Sequence, residues 1–183
     1  MKKLLLFALA TTFVAGTVAA QDNMAEDKSK RPSPPATVTE TIHGGVNVKI
    51  DYSQPAVKGR TIGKEIAPYG QVWRTGANEA TVFTISAPVT VEGKSLAAGT
   101  YDLFTIPTDG TWTIIFNSEL TTPDGKPTWG AYTYHDSKDV LRVTVPSGKS
   151  SSFTERMTFL VGKDGKVSLV WGDKQVDFHV AKG

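Results

Sequence analysis

The sequence predicts an all-β protein, and three features support that class. Residues 45–52 place Val46, Val48 and Ile50 on one face and polar side chains on the other, which is the period-two pattern of a half-buried strand. Similar short runs, separated by Gly, Pro and Asp-Gly, continue to the C terminus. No window has the apolar spacing of a long amphipathic helix, and residues 62–66 allow one helical turn at most.

The alternating runs predict about ten short strands. They cover residues 45–52, 81–86, 89–91, around 96, 101–106, 111–116, 139–145, 156–161, 167–171 and 175–180. The Asp-Gly pair within residues 163–166 predicts a hairpin with a type I′ turn, and Gly172-Asp173 predicts another turn. Strands of this length and spacing favour a two-sheet antiparallel β-sandwich, with a small β-barrel as the alternative.

The N-terminal residues indicate export. Lys2 and Lys3 precede an apolar run and then small residues up to Ala20, the order of a secretory signal peptide, so residues 1–20 are predicted to be removed. Residues 21–36 are polar and proline-rich and predict a disordered tether, followed by one domain over residues 37–183. With no cysteine available for lipidation, we expect a periplasmic or secreted protein without a membrane anchor after cleavage.

Composition narrows the possible functions. The chain has no cysteine, which excludes disulfides, thiol nucleophiles and zinc–thiolate sites. It has 20 Lys and Arg against 18 Asp and Glu, and removal of Lys2 and Lys3 leaves 18 against 18. A formally neutral domain lacks the basic surplus of a nucleic-acid binder, and no motif indicates a cofactor.

The densest cluster of polar residues lies at 69–81, just before a predicted strand. Arg74 offers a planar fork for a carboxylate or phosphate, Asn78 both donates and accepts, and Glu79 suits a general base. Trp73 is placed to face a ligand, and Arg60 could add a second cation. In the structural alternative, Arg74 and Glu79 pair with each other, Asn78 caps a turn and Trp73 fills the end of the sandwich.

Two further residues are candidates for the site. Trp129 lies on a predicted loop between Pro127 and Gly130, whereas Trp112 and Trp171 are in phase with apolar strand residues and are predicted to be core. His135 stands beside aromatic residues and carboxylates that could tune its protonation. The three histidines have no metal-binding spacing, so no metal site is predicted.

These residues allow three hypotheses. The first is binding of a small polar ligand, a glycan or an anionic molecule, by the Trp73–Glu79 loop, with Trp129 and His135 as further contacts. The second is a hydrolase that uses Glu79 or His135 for proton transfer; a glycosidase pair drawn from Glu79, Asp102 and Asp136 belongs here. The third is a structural protein of the cell envelope.

Three blocks of sequence resemble one known family: residues 50–60, residues 69–81 with the run Trp-Arg-Thr-Gly-Ala-Asn-Glu, and residues 98–107. Together they are similar to domain of unknown function 2911, an uncharacterised group of exported bacterial proteins common among the Bacteroidota. The resemblance covers about residues 33–180. It implies export and a compact domain, and it implies no substrate and no catalytic residue.

Overall fold

The computed structural model describes residues 27–183, so the predicted signal peptide and residues 21–26 lie outside the described residues. Nine strands form within this part of the chain. They are β1 (Pro35–Ile42), β2 (Val46–Ser53), β3 (Thr81–Ile85), β4 (Val89–Val91), β5 (Lys94–Leu96), β6 (Gly99–Pro107), β7 (Thr111–Asn117), β8 (Asp139–Val161) and β9 (Lys166–Lys182). The described residues contain only two short 3-10 turns, Lys28–Lys30 and Asp136–Lys138, so the all-β prediction is confirmed.

The strands hydrogen-bond in the order β1-β2-β3-β6-β7-β8-β9-β4-β5, and every pair is antiparallel. The first part of β8 pairs with β7 and its second part pairs with β9, with register shifts between Lys149 and Thr158. Such irregularities bend a strand and increase its twist. All nine strands are linked in this single hydrogen-bonded order. Whether they form a two-sheet sandwich or a small barrel stays a prediction.

One large core contains side chains from strands that are not neighbours in the sheet. Phe83 on β3, Phe116 on β7 and Phe178 on β9 are each at most 1 % exposed, and their ring centroids lie 5.1 to 6.3 Å apart. Burying each ring contributes on the order of 2 kcal/mol of hydrophobic stabilisation. Trp112 and Trp171 are both 1 % exposed, which confirms their predicted place in the core.

Nine strands form instead of the predicted ten, because two mergers leave eight of the predicted strands and β1, which was not predicted, adds one. The two runs at 139–145 and 156–161 belong to one strand, β8, and the two runs at 167–171 and 175–180 belong to β9. Gly172 has φ +58° and lies inside β9, so the turn predicted there is wrong. A glycine in the left-handed region lets an irregular strand continue instead of ending it.

The hairpin between β8 and β9 is confirmed, but its turn type is not. Gly165 has φ +85°, whereas Asp164 is not among the non-glycine residues with positive φ. A type I′ turn requires positive φ at both central positions. The hydrogen bonds from Gly162 N to Lys166 O and from Gly165 N to Gly162 O close the turn instead.

Two long connections position the candidate site. Residues 54–80 join β2 to β3, and residues 118–138 join β7 to β8. They meet where Ala80 N donates to Thr128 O and Gly130 N donates to Asn78 O. Loops of this length with little regular structure are commonly functional. Within residues 27–183, no helix has the length and apolar character needed to cross a bilayer.

Candidate functional site

Trp73 is fixed by both its backbone and its ring. Its backbone exchanges two hydrogen bonds with Thr105 on β6, at N–O distances of 2.8 and 2.9 Å. Its ring stacks on Trp171 with a centroid distance of 5.3 Å and an interplanar angle of 7°, and it meets Trp112 edge-on at 6.0 Å. A partly buried ring in this packing provides a rigid apolar wall beside Arg74.

Arg74 and Asn78 are held together by a backbone carbonyl. Arg74 Nη1 donates to Asn78 O at 3.0 Å, and Gly130 N donates to the same oxygen. Asn78 has φ +62°, and its Nδ2 donates to Ser33 O at 3.1 Å and Ser53 Oγ at 3.3 Å. Asparagine tolerates this conformation better than most residues, so Asn78 has the turn-stabilising role of the structural alternative.

The loop between them holds a strained residue. Thr75 is fully buried and has φ +52°, an unusual conformation for a β-branched side chain. Its carbonyl accepts a hydrogen bond from Thr81 Oγ1 at 2.8 Å, and its hydroxyl lies 3.1 Å from Thr105 Oγ1. Strain of this kind persists where surrounding contacts determine the backbone, so the loop has a fixed shape before any ligand arrives.

Glu79 is paired with the segment that precedes β1. Its carboxylate accepts from Lys28 Nζ at 2.8 Å and from Arg31 Nη1 at 2.7 Å. Residues 27–34, which we call the N-terminal strap, make further contacts on the same side of the molecule. Arg156 Nη1 donates to Pro32 O, and Gln54 N donates to Pro34 O. These residues belong to the segment predicted as a tether, whose disorder stays a prediction.

The two cations determine the protonation state of Glu79. Burial raises the pKa of this carboxyl, but hydrogen bonds from Lys28 and Arg31 outweigh burial and lower the pKa to about 2. A carboxylate with so low a pKa is a weak proton acceptor at neutral pH. The geometry therefore gives no support to Glu79 as the proton-transfer group of a hydrolase. The Arg74–Glu79 ion pair of the structural alternative does not form within the described residues.

Arg74 lines a cavity of about 330 Å³, which we call the Arg74 cavity. The residues that line it include two arginines, Arg60 and Arg74, the stacked Trp73 and Trp171, and one acid, Glu65. Two backbone carbonyls hold Arg60, since Nε donates to Val57 O at 3.1 Å and Nη2 donates to Ala56 O at 2.7 Å. The indole N–H of Trp171 is buried without a hydrogen-bond partner in residues 27–183.

The two arginines that line this cavity retain N–H donors without a protein partner in the described residues. A guanidinium has five N–H donors; Arg60 places two and Arg74 one on protein oxygens of the described residues. Neither forms an ion pair with a carboxylate in that part of the chain. Because two arginines and one acid, Glu65, line the cavity, the lining residues carry a net positive charge suited to an anion.

Trp129 lies on the Glu79 side of the site. It is 47 % exposed, its backbone pairs with Glu79, and the Arg31 guanidinium lies 5.7 Å from its ring centroid. A cation this close to an indole face is a favourable contact. Trp129 was predicted to contact a ligand, and in the structure its ring contacts Arg31 of the N-terminal strap.

His135 belongs to a separate network. Its Nδ1 lies 2.6 Å from Glu119 Oε2, and its carbonyl accepts from Asn117 Nδ2 at 3.0 Å. The side chain is well exposed and no described contact joins it to Arg74, Asn78 or Glu79. Asp136 begins the short 3-10 turn that follows His135. The predicted site residues therefore lie in three places: at the Arg74 cavity, around Glu79, and around His135.

Asp102 is a buried acid that anchors the second long connection. It is 1 % exposed, and Thr128 Oγ1 donates to its Oδ2. Burial raises its pKa, the Thr128 hydrogen bond opposes that rise, and the charge of Glu119 adds to it, giving a pKa of about 6. In residues 27–183, no group of three acids or histidines is arranged to hold a metal ion.

Several residues of the site were not predicted as such. Lys28 and Arg31 were assigned to the tether, Trp171 only to the core, and Glu65 and Glu119 were not singled out. Arg31 and Lys28 lie 48 and 51 positions from their partner Glu79 in the sequence. No local pattern reports such pairing, because the tertiary fold alone brings the segments together.

The fold and the site define an all-β protein with a cavity that is lined mainly by the connection between β2 and β3 and includes two arginines, Arg60 and Arg74. The chain belongs to the family described as "Protein of unknown function (DUF2911)", whose model matches residues 33–180. The family predicted from residues 50–60, 69–81 and 98–107 is thereby confirmed. No curated protein and no solved structure matches the chain.

Proposed function

We propose that this protein binds a small anionic molecule in the Arg74 cavity, through a carboxylate or phosphate group. One observation carries the proposal: two arginines, Arg60 and Arg74, line one cavity, and neither has a carboxylate partner in the described residues. A planar guanidinium binds such groups through paired hydrogen bonds. The predicted signal peptide supports the further proposal that binding takes place in the periplasm or outside the cell.

The cavity has the features of a binding site that is ready before its ligand arrives. Backbone carbonyls fix both guanidinium groups, and Trp73 stacked on Trp171 forms a rigid apolar wall. Rigid groups lose little conformational entropy on binding, which favours affinity. The volume of about 330 Å³ suits a small molecule such as a monosaccharide acid.

Isothermal titration calorimetry with galacturonic acid and with inorganic phosphate, on the chain without its predicted signal peptide (residues 21–183), tests the proposal. The substitution Arg74→Lys keeps the charge and removes the planar fork, so we expect at least a tenfold loss of affinity. Arg156→Lys is the matched control, because Arg156 also donates to backbone carbonyls but does not line the cavity.

Two results would count against the proposal. The absence of binding by both probes would remove the anion site. Equal affinity of the wild type and Arg74→Lys, with equal thermal stability, would show that the ligand binds elsewhere. The hydrolase and envelope hypotheses gain no specific observation from the described residues.

A further inference from the structure

A second cavity is also lined by residues of the connection between β2 and β3. Its volume is about 420 Å³, and we call it the Lys174 cavity. Arg60 lines both cavities, and the neighbouring β9 residues divide between them, since Trp171 faces the Arg74 cavity and Lys174 the Lys174 cavity. Because they share Arg60, the two cavities are neighbours.

The Lys174 cavity also carries a surplus of positive charge. Arg60, Lys64 and Lys174 line it together with two acids, Asp109 and Asp173. The one ion pair among these groups in the described residues, Lys174 with Asp109, is long at 3.9 Å. Lys64 is exposed and forms no ion pair within residues 27–183. A second anionic group would therefore find a cation here as well.

Aromatic side chains stand beside the cations in both cavities. Tyr69 and Phe153 line the Lys174 cavity, and Phe153 is 64 % exposed. In the Arg74 cavity the partly buried Trp73 is the ring beside the cations, since Trp171, stacked on it, is only 1 % exposed. Flat rings offer apolar faces to the C–H faces of sugar rings, while arginine and lysine bind carboxylates. Alternating rings and cations suit a chain of sugar acids.

We propose that the natural ligand is an acidic oligosaccharide that spans both cavities, with one uronate group at Arg74, the next near Lys174, and Arg60 between them. This inference rests on the proposed anion site and extends it to a ligand class. An acidic peptide is less well matched, because peptides commonly bind by adding to an exposed sheet edge. No residue of β1 or β5, the two ends of the described strand order, lines either cavity.

The test compares galacturonic acid with its linear trimer by isothermal titration calorimetry at constant ionic strength. We expect the trimer to bind at least tenfold more tightly than the monomer. Lys174→Gln should lower trimer affinity about tenfold, and Lys64→Gln should lower it several-fold. Lys149→Gln is the matched control, because Lys149 pairs with Lys174 across β8 and β9 but lines neither cavity. Thermal unfolding verifies that each variant is folded.

The outcomes separate this inference from the proposed function. If neither sugar nor inorganic phosphate binds, the anion site itself is wrong; if phosphate binds and neither sugar does, only the sugar ligand is wrong. If the monomer binds and the trimer binds no more tightly, or if Lys174→Gln and Lys64→Gln both leave trimer affinity unchanged, only the spanning ligand is wrong. Tighter binding of a triglutamate peptide than of the trimer would replace the sugar with a peptide. A neutral trisaccharide of equal affinity would also overturn the inference.

Discussion

The charged side chains at the two ends of the Trp73–Glu79 loop differ in whether they form ion pairs. Arg74 lines a cavity and has no carboxylate partner in the described residues, whereas Glu79 is neutralised by Lys28 and Arg31 of the N-terminal strap. An ion pair with good geometry contributes to folding, while a charge without a partner is available for binding. The comparison shows that neighbouring polar residues in one sequence block serve different purposes.

The largest expected effect concerns Asp102, which anchors the connection paired with Glu79. Its pKa of about 6 lies above the ordinary value of 3.8, so the folded state holds a proton that the unfolded state releases. The free energy of unfolding should therefore fall by roughly 3 kcal/mol as pH rises from about 4 to about 6. Denaturant titrations across this range would measure it.

The isosteric variant Asp102→Asn isolates that contribution. Asparagine keeps an acceptor for Thr128 and cannot titrate, so the difference between wild type and variant should change with pH only in this window. If the two pH profiles are parallel, Asp102 does not retain a proton in the folded state, and the connection is anchored without a protonation cost.

Gly130→Ala tests the packing that links the two ends. Gly130 has φ +69°, and a Cβ atom there would lie 2.9 Å from Arg74 Nη1, so we expect a loss of about 2 kcal/mol in stability and weaker anion binding. Gly125→Ala is the control, with φ +78° and no neighbour within 4 Å; it should cost about 1 kcal/mol and leave binding unchanged. Equal anion affinity in both variants would show that the position of Arg74 does not matter.

Glu79→Gln should have the smallest effect of the three, a loss of about 1 to 2 kcal/mol at pH 7, because Lys28 and Arg31 lose their anion. The pKa of Glu79 is lowered from 4.5 to about 2, so its contribution is fully present above pH 4.5 and is lost as pH falls through about 2. Denaturant titrations should therefore show a smaller difference in the free energy of unfolding between the wild type and Glu79→Gln at pH 2.5 than at pH 7.

Glu40→Gln is the control for this change, since Glu40, like Glu79, is partly buried and it has no ion pair in residues 27–183. Calorimetry with galacturonic acid then tests the comparison itself. If Glu79→Gln weakens binding as strongly as Arg74→Lys does, the two ends act as one site and the distinction between them fails.

Local alternation predicted most of the strands, because one face of each is buried. The strand β1 was missed, since its residues are mostly small or polar and its burial alternates only between exposed and partly buried positions until Ile42. A turn was predicted at Gly172 because glycines with positive φ occur both in hairpin turns and in β-bulges, and the sequence alone does not distinguish the two. Register and bending depend on partners that alternation does not reveal.

The candidate site was predicted as far as its residues are neighbours in sequence. Arg74 and Asn78 do contact each other, as adjacency suggested. The partners of Glu79, the separation of His135 from the loop, and the division of β9 between two cavities depend on contacts between distant segments. Side-chain chemistry can be read from a sequence block, whereas its direction in space requires the fold.

The stacked pair of Trp73 and Trp171 gives the protein its own optical probe. The rings are nearly parallel at 5.3 Å and both line the Arg74 cavity. Indoles this close couple electronically, and a charged guest beside them shifts their absorption and emission. Occupancy of the cavity should therefore be visible in the near-ultraviolet circular dichroism and fluorescence of the unlabelled chain, so a ligand search can begin without any knowledge of the ligand.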